Sequence, residues 1–171
     1  MKSVAVLFAC LFSLSVVAQD GAPTVPTDFS LETPADYQEH AALARKCMAW
    51  LTGHSLSEYP ETREALNAFA LLWLSGHPEL RVDVKSAVMP CLQEHEDLFT
   101  VFIYGVALYQ MKHPNTTDQV VLHAEGLRAV HKATSTTRKL RRCRCLKPLR
   151  KAARKEDFKP LAQAALSGAR L

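Results

Sequence analysis

The sequence predicts an all-α fold, with antiparallel helix hairpins packed into a single compact bundle. Apolar residues recur at three- and four-residue steps in four long stretches, the spacing of one helical face. Each stretch is bracketed by helix-start and helix-stop residues. Only six of 171 residues are glycine, and no β-branched residues alternate in strand-like runs. A tetratricopeptide-like array is the related alternative, but the first two helices do not repeat in the next two at its roughly 34-residue period.

Residues 1–18 read as an export signal. Lys2 is the positive end, Val4 to Phe12 with Leu14, Val16 and Val17 form the apolar run, and Val16-Val17-Ala18 precedes Gln19 as a cleavage pattern. Leu7-Phe8-Ala9-Cys10 read as a lipoprotein box leaves too short an apolar run before its cysteine. No second run of eighteen or more apolar residues follows. The expectation is a secreted or periplasmic protein with no membrane span once the leader is removed. Residues 19–32, with Pro23 and Pro26, show no helical period and read as a disordered lead-in.

A helical core domain is expected over residues 33–134. Thr33 caps the first helix, Pro34 takes its first position and Asp36 its first turn; Gly53 stops it. Tyr37, Ala41, Ala44, Met48 and Leu51 form its inner face, widened by Cys47 and Trp50. The second helix starts near Pro60 and ends at Gly76 and Pro78, with Ala65, Leu66, Phe69, Leu72 and Trp73 turned inward. Residues 68–74 are apolar nearly all round, which predicts the most buried helix. Residues 79–93 read as an extended connector with a helical turn around Ser86–Met89.

The third helix runs from about Glu96 to Lys112 before Pro114, with Leu98, Val101, Phe102, Tyr104, Ala107, Leu108 and Met111 inward. Gly105 at its centre costs about 1 kcal/mol against Ala, which is tolerable where a neighbouring helix packs close. Thr116-Thr117-Asp118-Gln119 reads as a capping box for the fourth helix, whose inner set is Val120, Ala124, Leu127 and His131. Residues 135–171 form a basic C-terminal segment, broken at Pro148, with one weakly apolar side at Leu140, Cys143, Leu146 and Leu149. A last short helix follows Pro160.

The net charge of +4 hides a polarity. Residues 19–137 hold 8 Lys/Arg against 15 Asp/Glu, whereas residues 138–171 hold 12 against 2. The densest part is 138–155, where Arg138, Lys139, Arg141, Arg142, Arg144, Lys147, Arg150, Lys151, Arg154 and Lys155 meet no acidic residue. Such a run suits phosphate or sulfate on an anionic membrane surface or a polyanion. It lacks the interleaved aromatics that base stacking would use, which places lipid headgroups ahead of nucleic acid. The competing reading is a solvated face that offsets the acidic body of its own chain.

Beyond the leader four cysteines remain: Cys47, Cys91, Cys143 and Cys145. An oxidising compartment allows them three pairings. Cys47–Cys91 is the favoured bridge, since both fall in the helical body, although a buried core cysteine is nearly as good a reading of Cys47. A bridge inside Cys143-Arg144-Cys145 would close a very short, strained ring.

Seven histidines raise a metal hypothesis, but no HExxH occurs. Gln93-Glu94-His95-Glu96-Asp97 has one imidazole among carboxylates and reads as an acidic helix start. His123 and His131 lie two turns apart, a spacing commoner for half-buried histidines than for ligands. No GxSxG, no cysteine signature and no glycine-rich phosphate loop is present, so the sequence points away from an enzyme and implies no cofactor. Asn115-Thr116-Thr117 fits a glycosylation sequon.

The end of the leader at Ala18-Gln19, Asn67-Ala68-Phe69 leading into Trp73-Leu74-Ser75-Gly76-His77-Pro78, and Phe102-Ile103-Tyr104-Gly105 together carry a resemblance over roughly Thr33 to Lys132. The chain resembles small exported helical proteins of Bacteroidetes-type bacteria. That resemblance implies export and an all-helical fold, and brings no activity, cofactor or site residue with it. The expected function is a non-catalytic scaffold that binds an envelope protein or peptide in a groove between hairpins. The alternatives are an anionic-surface binder acting through 138–155, and an enzyme whose site leaves no motif.

Overall fold

The structure is a computed structural model and describes residues 21–80, 82, 92 and 95–168. Residues 1–20, Cys91 and most of 79–93 lie outside the described residues. Among the described residues there are six α-helices and no strand: α1 (Pro34–Gly53), α2 (Pro60–Gly76), α3 (Glu96–Lys112), α4 (Gln119–Thr136), α5 (Lys147–Arg154) and α6 (Lys159–Leu166). A short 3-10 turn, Arg144–Leu146, leads into α5. None of these helices is long and apolar enough to cross a membrane.

α3 and α4 make the most extensive helix pair, α1 and α2 the next, and α1 also packs on both α3 and α4. Two apolar clusters result. One joins Cys47, Met48 and Leu51 of α1 to Leu66, Phe69 and Trp73 of α2 and to Tyr104 and Ala107 of α3. The other joins Leu98, Val101, Phe102 and Val106 of α3 to Leu122, Leu127 and Val130 of α4 and to the C-terminal segment. α3 thus serves both clusters from opposite faces and is the central helix.

α2, expected to be the most buried helix, is less buried than α3 and α4. α2 buries Leu66, Phe69, Ala70 and Trp73, but Leu71 and Leu72 are 41% and 54% exposed and Ala65 is exposed. α2 packs chiefly on α1, so its far side meets solvent although its sequence is apolar all round.

The α3–α4 contact depends on two glycines. A Cβ on Gly105 would lie 2.6 Å from Ala129 Cβ and 2.9 Å from the Glu125 carbonyl oxygen. A Cβ on Gly126 would lie 2.5 Å from the Phe102 ring. The close neighbour that Gly105 called for is therefore α4.

Helix starts follow local chemistry. Thr33 and Asp36 form the reciprocal capping box of α1 behind Pro34. At α4 the cap is Asp118, whose carboxylate accepts from Val120 N at 2.9 Å and Val121 N at 3.3 Å. Thr116 does not cap this helix. An Asp immediately before the first turn reaches two free N–H groups, and no capping box is needed.

The expected Cys47–Cys91 bridge does not form. Cys47 is a free thiol, fully buried between α1, α2 and α3, and burial pushes its pKa up to about 11. Its position on the inner face of α1 makes it a core residue. Cys145 is disulfide-bonded, to a cysteine outside the described residues. Residues 21–32 form no regular element, yet Phe29 lies edge-on to Phe69 at 5.1 Å and Val25 and Leu31 also pack on the α1–α2 cluster.

Candidate anion-binding surface

The basic segment is folded onto the bundle. Thr137 ends α4 and pins the chain there: its hydroxyl accepts from Leu56 N at 3.0 Å and donates to Ala133 O at 2.8 Å. A turn follows, with Leu140 N donating to Thr137 O at 3.0 Å and Cys143 N to Leu140 O at 3.1 Å. Pro148 sits in the first turn of α5, where its missing N–H costs nothing. Beneath, Leu146, Leu149 and Ala152 are buried with Phe158, Leu161 and Ala162 against α4. The apolar side expected from Leu146 and Leu149 is the inner face of this segment.

Alternation of buried apolar and outward cationic residues makes the surface. Nine of the ten basic residues between Arg138 and Lys155 are exposed, and Arg150 is half-buried. None of the ten forms an ion pair with a described residue. Lys151 and Arg154 stand in the last turn of α5, where the helix dipole favours a cation. The acidic body therefore offsets this face only through space, not by direct pairing with described residues.

Arg141 and Arg150 converge. Together with His131, Thr134, Ser135 and Leu140 they line a cavity of about 220 Å3 at the junction of α4, the turn and α5. Arg141 Nε donates to Ser135 O at 2.8 Å, and Arg150 Nη1 donates to Cys143 O at 2.9 Å. Each guanidinium is held by one backbone bond and keeps other N–H donors for a ligand. The Thr134 hydroxyl is spent on Val130 O and that of Ser135 on Lys132 O. His131 Nδ1 is buried without a hydrogen-bond partner. Burial, and then the charge of Arg150, hold the His131 pKa below the usual histidine value, so the ring is neutral at neutral pH. Two cations lining a small cavity suit a single phosphate or sulfate group.

The other eight basic residues lie outside this cavity. Lys139 lines a second cleft of about 190 Å3 with Ser57, His95 and Asp97. Sequence reasoning placed His131 among the inward residues of α4 but did not join it to the arginines. The spacing His131, Thr134, Ser135 on one helical face was the available signal.

The histidine pair does not converge. His123 is buried, with Nδ1 2.8 Å from Gln119 O and its ring edge-on to Phe102, whereas His131 lies beside Phe158. His95 is the N-cap residue of α3, and Glu96 and Asp97 fill the first turn, the acidic start that the sequence indicated. Among the described residues no group of three His, Cys, Asp or Glu could hold a metal ion. The chain matches no family model, no curated protein and no solved structure.

Proposed function

We propose that this chain is a non-catalytic, exported binding protein that docks on phosphate-bearing anionic surfaces, lipid headgroups first, through residues 138–155. The observation that carries this reading is a set of cations fixed on a folded scaffold and paired with no described acid. The His131–Arg141–Arg150 cavity takes one phosphate group, and the exposed cations supply the surrounding field. Each cation near an anionic leaflet contributes about 1 kcal/mol, falling away within a Debye length of about 10 Å at 0.1 M salt. Four engaged residues would give about 4 kcal/mol, a millimolar, salt-labile affinity. Tighter binding would require the cavity as well.

Cosedimentation with vesicles of phosphatidylglycerol in phosphatidylcholine tests this, with pure phosphatidylcholine and heparin resin as the comparison arms. Retention on the anionic vesicles, lost as salt rises, is expected. The combined exposed-site variant Arg142→Gln, Arg144→Gln, Lys147→Gln and Lys151→Gln should lose it with its circular dichroism unchanged. Undiminished binding by that variant would reject the surface, and retention on heparin alone would move the ligand to an acidic polysaccharide.

A second reading, binding of an envelope protein or peptide, draws support from α2. Leu71 and Leu72 present an apolar outer face, and a groove of about 260 Å3 lies among Gln38, Trp73, His77, Leu80 and Met111. A partner recovered from an envelope extract, lost with Leu72→Asp and kept by the charge variant, would select this reading.

A further inference from the structure

We propose that His77 is an acid-released clasp: its neutral imidazole holds the chain leaving α2 against the Trp73 groove, and protonation lets that chain go. His77 follows α2 with extended backbone (φ −65°, ψ 125°), and Pro78 comes next. The imidazole Nδ1 accepts from Glu79 N at 3.2 Å and from Leu80 N at 3.0 Å. This is the arrangement of a helix N-cap, in which a side-chain acceptor takes N–H groups just behind a proline. The usual acceptor is an oxygen of Ser, Thr, Asn or Asp, which keeps its lone pairs from neutral pH down to about pH 4. An imidazole nitrogen instead becomes a donor once the ring is charged, in the range where histidine titrates. Both bonds therefore exist only while the ring is neutral with its proton on Nε2.

Packing gives the ring its place. It stands edge-on to Tyr37 of α1 at 5.8 Å and tilted against the Trp73 indole at 4.5 Å. Glu79 and Leu80 line the groove of about 260 Å3 beside Trp73, and Leu80 is partly buried on the α1–α2 cluster. The facing walls, Gln38 of α1 and Gln110 and Met111 of α3, belong to helices. Loss of the two bonds therefore frees one wall of the groove and leaves the others standing.

Few charges act on the ring. The Tyr37 phenol faces it from α1, and α2 contributes only the Trp73 indole. Beside His77 itself, Glu79 is the one ionisable side chain among the described residues that line the groove. Glu79 favours the imidazolium, but burial outweighs it and holds the His77 pKa below the usual histidine value. The clasp is therefore closed at neutral pH and opens in acid.

An NMR titration of the isotopically labelled full chain, from about pH 7.5 to about pH 4.5, tests this across the histidine range. At the neutral end the His77 proton should lie on Nε2, and the Glu79 and Leu80 amide signals should hold hydrogen-bonded positions. On acidification both signals should move upfield with the midpoint of the ring itself, below about 6.5. Coincidence with the ring separates this shift from titration of the Glu79 carboxylate. Contacts of the Leu80 methyl groups with the α1–α2 cluster should weaken in step, while amide signals within α3 stay in place. His77→Asn offers the same two amides a carbonyl oxygen that gains no proton, so its signals should stay hydrogen-bonded throughout; His77→Ala should show the released positions at every pH. A neutral ring protonated on Nδ1 would overturn the proposal, and so would ring protonation that leaves both amides unmoved. An equal acid shift in His77→Asn would do the same, as would a simultaneous shift across α3, since release would then be unfolding. The wild-type titration decides the matter even if a variant fails to fold.

Discussion

At the scale of single residues, Asp36 shows how far an exposed carboxylate can organise a helix start. Its Oδ2 accepts from Glu32 N at 2.8 Å and from Thr33 N at 2.9 Å, and these bonds bring its pKa down to about 2. A carboxylate with a depressed folded-state pKa adds stability above its unfolded value of about 3.9 and loses it as pH falls through the folded value. Asp36→Asn should therefore melt below the wild type at neutral pH, with the two curves converging between about pH 4 and pH 2. Arg63 makes the complementary contact at the other end of α1. It is only 8% exposed, and its Nη2 donates to Leu51 O at 3.2 Å while Nη1 lies 3.5 Å from Ser55 O. Arg63→Met keeps most of the packing and leaves a last-turn carbonyl unpaired, so a loss of about 1–3 kcal/mol in urea unfolding is expected.

At the scale of elements, packing reverses what propensity alone would say. Replacing glycine by alanine inside an isolated helix gains about 1 kcal/mol. In α3, Gly105→Ala drives a methyl group into Ala129 and the Glu125 carbonyl of α4. Overpacking of that kind costs about 1–3 kcal/mol, so this variant should unfold at lower urea concentration than the wild type. The two faces of α2 differ in the same way. Trp73 is fully buried and its Nε1 donates to Tyr37 O at 3.0 Å, whereas Leu72 is exposed. Trp73→Ala should cost about 3–5 kcal/mol and Leu72→Gln no more than about 0.5 kcal/mol, a contrast that parallel thermal melts would read directly. An apolar run marks a helix, but neighbours decide which of its residues are covered.

At the scale of the whole molecule, the C-terminal segment is part of the bundle and not an appendage. Phe158 is buried under α4, with the Arg128 guanidinium 4.9 Å from its ring centre, and Leu146, Leu149 and Leu161 share its cluster. A chain truncated after Thr137 would uncover Leu122, Leu127 and Val130, so its cooperative thermal transition should be lost. Point changes on the exposed cations should leave that transition intact. Deletion therefore cannot separate binding from folding here, whereas charge neutralisation can. The same packing holds the cations of a run that would otherwise sample many shapes as one surface beside the Arg141–Arg150 cavity.

Helix period, caps and stops are local properties, and they sufficed to place α1, α2 and α3 and to mark the basic run as the chain's sharpest chemical feature. Tertiary structure decided matters that depend on residues far apart in the chain. It made α3 the central helix, gave Cys47 to the core and Cys145 to a disulfide, and brought His131 of α4 beside Arg141 and Arg150. The physical reason is that backbone hydrogen bonding and side-chain periodicity act over about four residues. Burial and convergence instead follow from which helix faces meet, and the amphipathic pattern of one helix does not name its neighbour.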